Sequence, residues 1–295
     1  MQALAAWLVA RPQNAVIGLA ATLLLPILQI ASGIIMVMLV LKQGVRLAVL
    51  EGAIAAALLA VIALVAGAPM GMIVGAVVGV WVPAVVAAIV LQVTRSMTLT
   101  LQVSALVAAL ATVAYFVVID DLVAYWQPMI DVLVEWSRTN GLAEQAALME
   151  GQPAMSANML TMATVMANWT MYAIYLLIGH WLFKSLPGET RNYGRFCDLN
   201  FGRVIALITA ILSLLAFVID AAWLQSTAFI LFAVFWLQGL AVVHWMHSDG
   251  HLPVLVVIVT YVLLPVLHLF LVTALAVLGY TDAWFGFRRR AVIKQ

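Results

Sequence analysis

Apolar residues in this chain neither alternate with polar ones nor keep to one helical face. They come in long unbroken runs, at about 14–41, 46–66, 69–92, 97–118, 157–183, 204–219, 223–245 and 253–279. A stretch of about 20 apolar residues spans the ~30 Å hydrocarbon core of a bilayer. Only a backbone that satisfies its own hydrogen bonds can cross lipid, and these runs lack the alternation of a barrel strand. The pattern predicts an all-α, polytopic transmembrane bundle of about eight apolar runs, forming a single domain over residues 1–295. Its contact with the lipid bilayer follows directly.

The first and last runs are the longest, each with a proline near its middle, Pro26 and Pro265. At 1.5 Å per residue such a run is roughly 40 Å long, more than the core needs. Each is expected to tilt, kink or re-enter. Two re-entrant runs leave six full spans; the alternative is eight.

The connections carry the charge. Residues 119–156 hold Asp120, Asp121, Asp131, Glu135, Glu144 and Glu150 against Arg138 alone, while residues 184–203 hold Lys184, Arg191, Arg195 and Arg203. Lys42, Arg46 and Arg95 fall on connections that share a side with the basic loop. Lysine and arginine accumulate in cytoplasmic loops, so this side is expected inside a bacterial cytoplasmic membrane and the acidic segment outside. Within that segment Pro128–Arg138 predicts an interfacial helix with Pro128 in its first turn. The basic tail over 280–295, with Arg288, Arg289, Arg290 and Lys294, breaks the rule if all eight runs cross.

Composition narrows the function. Hydrophobic residues make up 66% of the chain and charged ones 8%, with a net charge of +1. That leaves no basic footprint for nucleic acid and no room for a soluble domain. The first charge, Arg11, follows an apolar opening, unlike a cleavable signal. One cysteine, Cys197, excludes an internal disulfide and is expected as a free thiol. There is no H-E-x-x-H, Walker motif or intramembrane aspartate pair; no enzyme and no cofactor are expected.

Four features could carry chemistry. Gly67, Gly71, Gly75 and Gly79 repeat every four residues. This places them along one helix face, where another backbone can approach, within the bundle or on another membrane subunit. Thr161, Thr164, Asn168, Tyr172 and Tyr175 step by three and four along one run. They form a polar row expected to face inward, as interhelical hydrogen bonds or as the wall of a small-molecule site. His268 lies deep in the last run, three residues after Pro265, and an intramembrane ionisable group is a functional candidate. His244, His247, Asp249 and His251 close another run. Imidazole and carboxylate suit zinc; interfacial polar residues are the alternative.

The ending Leu278-Gly279-Tyr280-Thr281-Asp282-Ala283-Trp284-Phe285-Gly286-Phe287-Arg288-Arg289, with Gln238-Gly239-Leu240, Pro26 and Lys42-Gln43-Gly44, resembles the YybS-like family of bacterial membrane proteins. That family is grouped remotely with the substrate-binding S components of energy-coupling-factor transporters. The resemblance implies a compact helical bundle that binds a small solute and partners with other membrane subunits. It supplies no catalytic residue. The spacings Ala53/Ala57 and Ala56/Ala60 are similar to the alanine faces by which S components dock.

Overall fold

A computed structural model describes residues 2–288. Arg289, Arg290 and Lys294 lie outside the described residues. The described chain is helical throughout: α1 Gln2–Ala10, α2 Pro12–Leu24, α3 Gln29–Gln43, α4 Val45–Ala66, α5 Met70–Thr94, α6 Met97–Val118, α7 Leu122–Thr139, α8 Ala143–Gly151, α9 Pro153–Lys184, α10 Gly202–Val218, α11 Ala222–Ser248, α12 Val254–Val266 and α13 His268–Phe285. Of these, α4, α5, α6, α9, α11 and α13 are long and apolar enough to cross a membrane.

Both long runs are interrupted, the first at its proline and the last run two residues after its own. Pro26 has no N–H to donate and disfavours helical backbone at the residue before it, so α2 ends and Leu25 turns to extended backbone. A short 3₁₀ turn over Pro26–Leu28 follows. The chain then folds back, and Ser32 Oγ donates to the Leu19 carbonyl at 3.2 Å. With 13 and 15 residues, α2 and α3 are ~20 Å and ~22 Å long, each short of the bilayer core. The last run breaks at Leu267, between α12 and α13.

The chain clusters into two compact units, Met1–Leu101 with Thr170–Phe196, and Gln102–Trp169 with Cys197–Gln295. In the first unit α3 is the core: every residue from Ser32 to Leu41 is buried. Its one buried hydroxyl is satisfied, because Trp81 Nε1 donates to Ser32 Oγ at 2.8 Å. The end of α9 packs closely on α3, Tyr175 filling the notch at Gly33 and Gly179 lying against Val37 and the Ile34 carbonyl.

In the second unit α11 is central, 89% of its apolar window being buried. It crosses α13 where Gly239 and Gly279 meet. A Cβ on Gly239 would overlap the Leu275 carbonyl, and one on Gly279 the Phe235 carbonyl. Only glycines admit that approach. The acidic segment folds as a helical hairpin, with Ile130, Val134 and Ala146 buried together against Trp126, Met149 and Leu160. Its first helix starts at Leu122, six residues before the Pro128 expected from sequence. Asp121 supplies the reason, since its carboxylate caps the helix by accepting from the Ala124 N–H at 3.0 Å.

Candidate functional site

The structure divides the polar row. Thr161, Thr164 and Asn168 belong to the second unit, Tyr172 and Tyr175 to the first. Thr161 is fully buried, accepting from Trp126 Nε1 at 2.9 Å and donating to the Ala157 carbonyl at 3.0 Å. Thr164 is half-buried, and Asn168 is exposed and donates to the Thr164 carbonyl at 2.9 Å. Tyr172 is half-buried and Tyr175 is buried. His268 is exposed, as the first residue of α13.

The glycine repeat does not pack within its own chain, which corrects one reading of it. Gly67 is a left-handed cap ending α4, and a Cβ on Gly67, Gly71, Gly75 or Gly79 would meet nothing within 4 Å. Spacing put all four on one face; only Gly71, Gly75 and Gly79 lie on α5, and they are exposed.

The histidines at the end of α11 point to separate partners. His244 Nε2 pairs with the Tyr261 hydroxyl at 2.9 Å, His247 Nδ1 with the Leu252 carbonyl at 3.0 Å, and His251 Nδ1 with Asp249 at 3.2 Å. Among the described residues no group of three or more His, Cys, Asp or Glu is placed to hold a metal ion.

A buried polar constellation joins residues from the C-terminal ending and the Gln238-Gly239 pair. Asp282 is fully buried, and its Oδ2 accepts from Arg288 Nη2 at 2.6 Å and from Gln238 Nε2 at 2.7 Å. Gln238 Oε1 accepts from the Phe201 N–H at 2.7 Å. Arg288 also donates to the carbonyls of Cys197 and Leu199, both at 2.7 Å. The Arg288 guanidinium therefore fastens Cys197 and Leu199 to α13, and Gln238 ties α11 to Asp282 and Phe201. Bonds of this charge-assisted kind are about twice as strong as neutral ones. Cys197 is a buried thiol in no disulfide among the described residues.

The first unit holds separate buried polar groups of its own. Glu51 is buried in the second turn of α4 and accepts from Gln43 Nε2. His180 is 5% exposed, lies among the rings of Phe183 and Tyr193, and its Nε2 has no hydrogen-bond partner among the described residues. Neither residue was singled out in the sequence; an acid and a histidine inside apolar runs were the available signal. In the adjoining loop Glu189 bonds Arg191 through both its oxygens at 2.8 Å and pairs with Lys42 at 3.5 Å. The Arg191 hydrogen bonds hold the Glu189 carboxyl well below its usual range, at about 2.

That depressed value predicts a pH dependence. The folded form binds the Glu189 proton less readily than the unfolded form, so the pairing stabilises fully above about 4.5, and the gain is lost as pH falls toward 2. Melting temperature of the detergent-purified protein should fall over that window, and Glu189→Gln should lower it at pH 7 and flatten the acid limb. An acid limb unchanged by Glu189→Gln would assign the dependence to other carboxylates.

Fold and polar clusters together define a polytopic α-helical membrane protein. The model of the family described as Predicted membrane protein (DUF2232) matches residues 14–283, and the chain belongs to that family. No curated protein and no solved structure gives a significant match.

Proposed function

We propose that the chain is an assembly component of a bacterial cytoplasmic-membrane complex, docking another membrane protein through α5, and that it catalyses no reaction itself. The open glycine face carries this reading: a Cβ on Gly71, Gly75 or Gly79 would meet no other packed atom of the described residues within 4 Å, so the face is free for close approach by another helix. Further support comes from the low burial of α5, 22% of its apolar window. Its middle also holds a π-helical turn, Val77–Trp81, a rare geometry frequent at functional sites. Helices in lipid associate through close packing of such small-residue faces.

Gly75→Leu tests it. Because the site is open, the melting temperature should stay close to wild type, within about 0.5 kcal/mol of stability. Association in the membrane, read by cross-linking and by the mass of the mildly solubilised complex, should be lost, while Val93→Leu on the same helix keeps it. Equal masses for wild type and both variants would remove the reading.

A second reading is a solute-binding component of the S-component kind. It is favoured by His180, a buried ionisable side chain within α9 whose Nε2 has no partner among the described residues. The half-buried Tyr172, on the same helix and in the same unit, is its other polar group. A ligand stabilises only the state that binds it. Vitamins, nucleobases and amino acids should then include one that raises the melting temperature of wild type but not of His180→Leu.

On either reading we place residues 119–156 outside and 184–203 in the cytoplasm. Cys197 is 8% exposed and too covered to report sidedness, so introduced cysteines must do so. An impermeant maleimide should label Glu144→Cys and spare Lys184→Cys on intact cells; the reverse preference inverts the topology.

A further inference from the structure

We infer that the first unit binds an anionic phospholipid of the cytoplasmic leaflet, with an acyl chain in a lateral groove between α4 and α5 and the headgroup phosphate held by Arg46 and Arg95. This is independent of the docking face proposed above.

The groove has a volume of about 290 Å³ and a wholly apolar lining. Gly52, Ala53 and Ala56 of α4 form one wall, Val77 and Val85 of α5 the other, and Met36 and Trp81 the floor. The small residues create the width. A Cβ on Gly52 would come within 2.9 Å of Met36 Cε and 3.6 Å of the Trp81 ring. The floor is fixed, because Trp81 is tied to Ser32 by its indole N–H. Val49, also in the lining, lies ~10 Å along α4 from Ala56, about two-thirds of one leaflet's hydrocarbon depth.

Charge selects the occupant. Arg46, Val49, Ala53 and Ala56 are spaced three, four and three, so Arg46 stands on the groove's own face of α4, one turn beyond Val49. α4 and α5 run antiparallel around the short turn after Ala66, and Arg95 caps the far end of α5. Both arginines therefore stand at the same end of the helix pair. Both are exposed, and neither guanidinium has an ion-pair partner among the described residues. The neighbouring Lys42 is different, being paired with Glu189. Arg95 is also held at φ +50, the one positive φ at a non-glycine among the described residues. Glycine is the default there, so a strained arginine argues for use of its side chain. Two unpartnered cations above an apolar slot match a phosphodiester above an acyl chain, as basic pockets between membrane helices bind anionic headgroups.

The test uses the full-length, delipidated protein in neutral detergent, with bound lipid counted by native mass spectrometry against phosphatidylglycerol or phosphatidylcholine. At roughly five-fold per arginine, phosphatidylglycerol should bind about 25-fold more tightly. Arg46→Gln and Arg95→Gln should each reduce that preference about five-fold, and the double variant should abolish it. Arg138→Gln, a charge removed from the acidic segment, should leave it intact. Ala53 is exposed, so Ala53→Trp fills the groove without disturbing the core and should weaken both lipids. Wild-type melting temperature and elution volume in each variant establish that it is folded. Preference that survives the double arginine variant, or phosphatidylglycerol binding unaffected by Ala53→Trp, would overturn the site. So would inorganic phosphate competing as well as the lipid, which would mean a free-anion site.

Discussion

Asp282→Ala should destabilise the protein by about 3–5 kcal/mol, enough to remove most folded material from the membrane fraction. The carboxylate is fully buried and balances the Arg288 guanidinium at 2.6 Å. Without it Arg288 remains a buried cation whose other partners are two neutral carbonyls, those of Cys197 and Leu199. Gln238 also loses its acceptor, and its amide holds the Phe201 N–H on the other side. Asp282→Ala with Arg288→Met should be less damaging than Asp282→Ala alone, because the orphaned charge goes as well. The measurement is an unfolding titration of purified protein in mixed micelles, with alkylation of the buried Cys197 as a local reporter. Additive effects of the two substitutions would show that the pair does not act as a unit.

The legible part of the fold is the part that lipid dictates. A helix must be apolar for as long as it is in hydrocarbon, so the run 97–118 and the helix Met97–Val118 coincide. The break at Pro26 was legible for an equally local reason, a missing N–H. What sequence periodicity does not report is the direction a face points. The row Thr161–Tyr175 was expected to face inward, yet Asn168 is exposed. Its amide bonds the carbonyl one turn back, and such local satisfaction lowers the penalty for facing outward. The polar node around Asp282 had no spacing signature, because Gln238 and Asp282 are 44 residues apart and meet only when α11 and α13 cross. Gln238 and Asp282 stood out only through the resemblance, which assigns them no role, and Arg288 also as a charge of the basic tail.

The glycines make the same contrast, and Gly239→Ala should show it. Alanine is the better helix former by about 1 kcal/mol, so at an open position the substitution should be neutral or stabilising. That is the expectation for Gly75→Ala, where the added methyl meets nothing within 4 Å. At Gly239 the same methyl lands on the Leu275 carbonyl, with the Leu275 carbonyl carbon 2.7 Å away. The obstacle is backbone, so no rotamer change relieves it, and α11 and α13 must separate. Overpacking of this kind costs about 3 kcal/mol at its upper end, which leaves a net loss of about 2 kcal/mol after the propensity gain. Separation also strains the node between Gln238 and Asp282, so Gly239→Leu should approach the severity of Asp282→Ala. Melting temperatures of Gly239→Ala and Gly75→Ala, measured side by side in one detergent, should move in opposite directions or differ by at least 5 °C, since 1 kcal/mol shifts a chain of this size by about 2–4 °C. Equal melting temperatures would mean that the helices do not touch at Gly239, and the crossing of α11 with α13 would have to be redrawn.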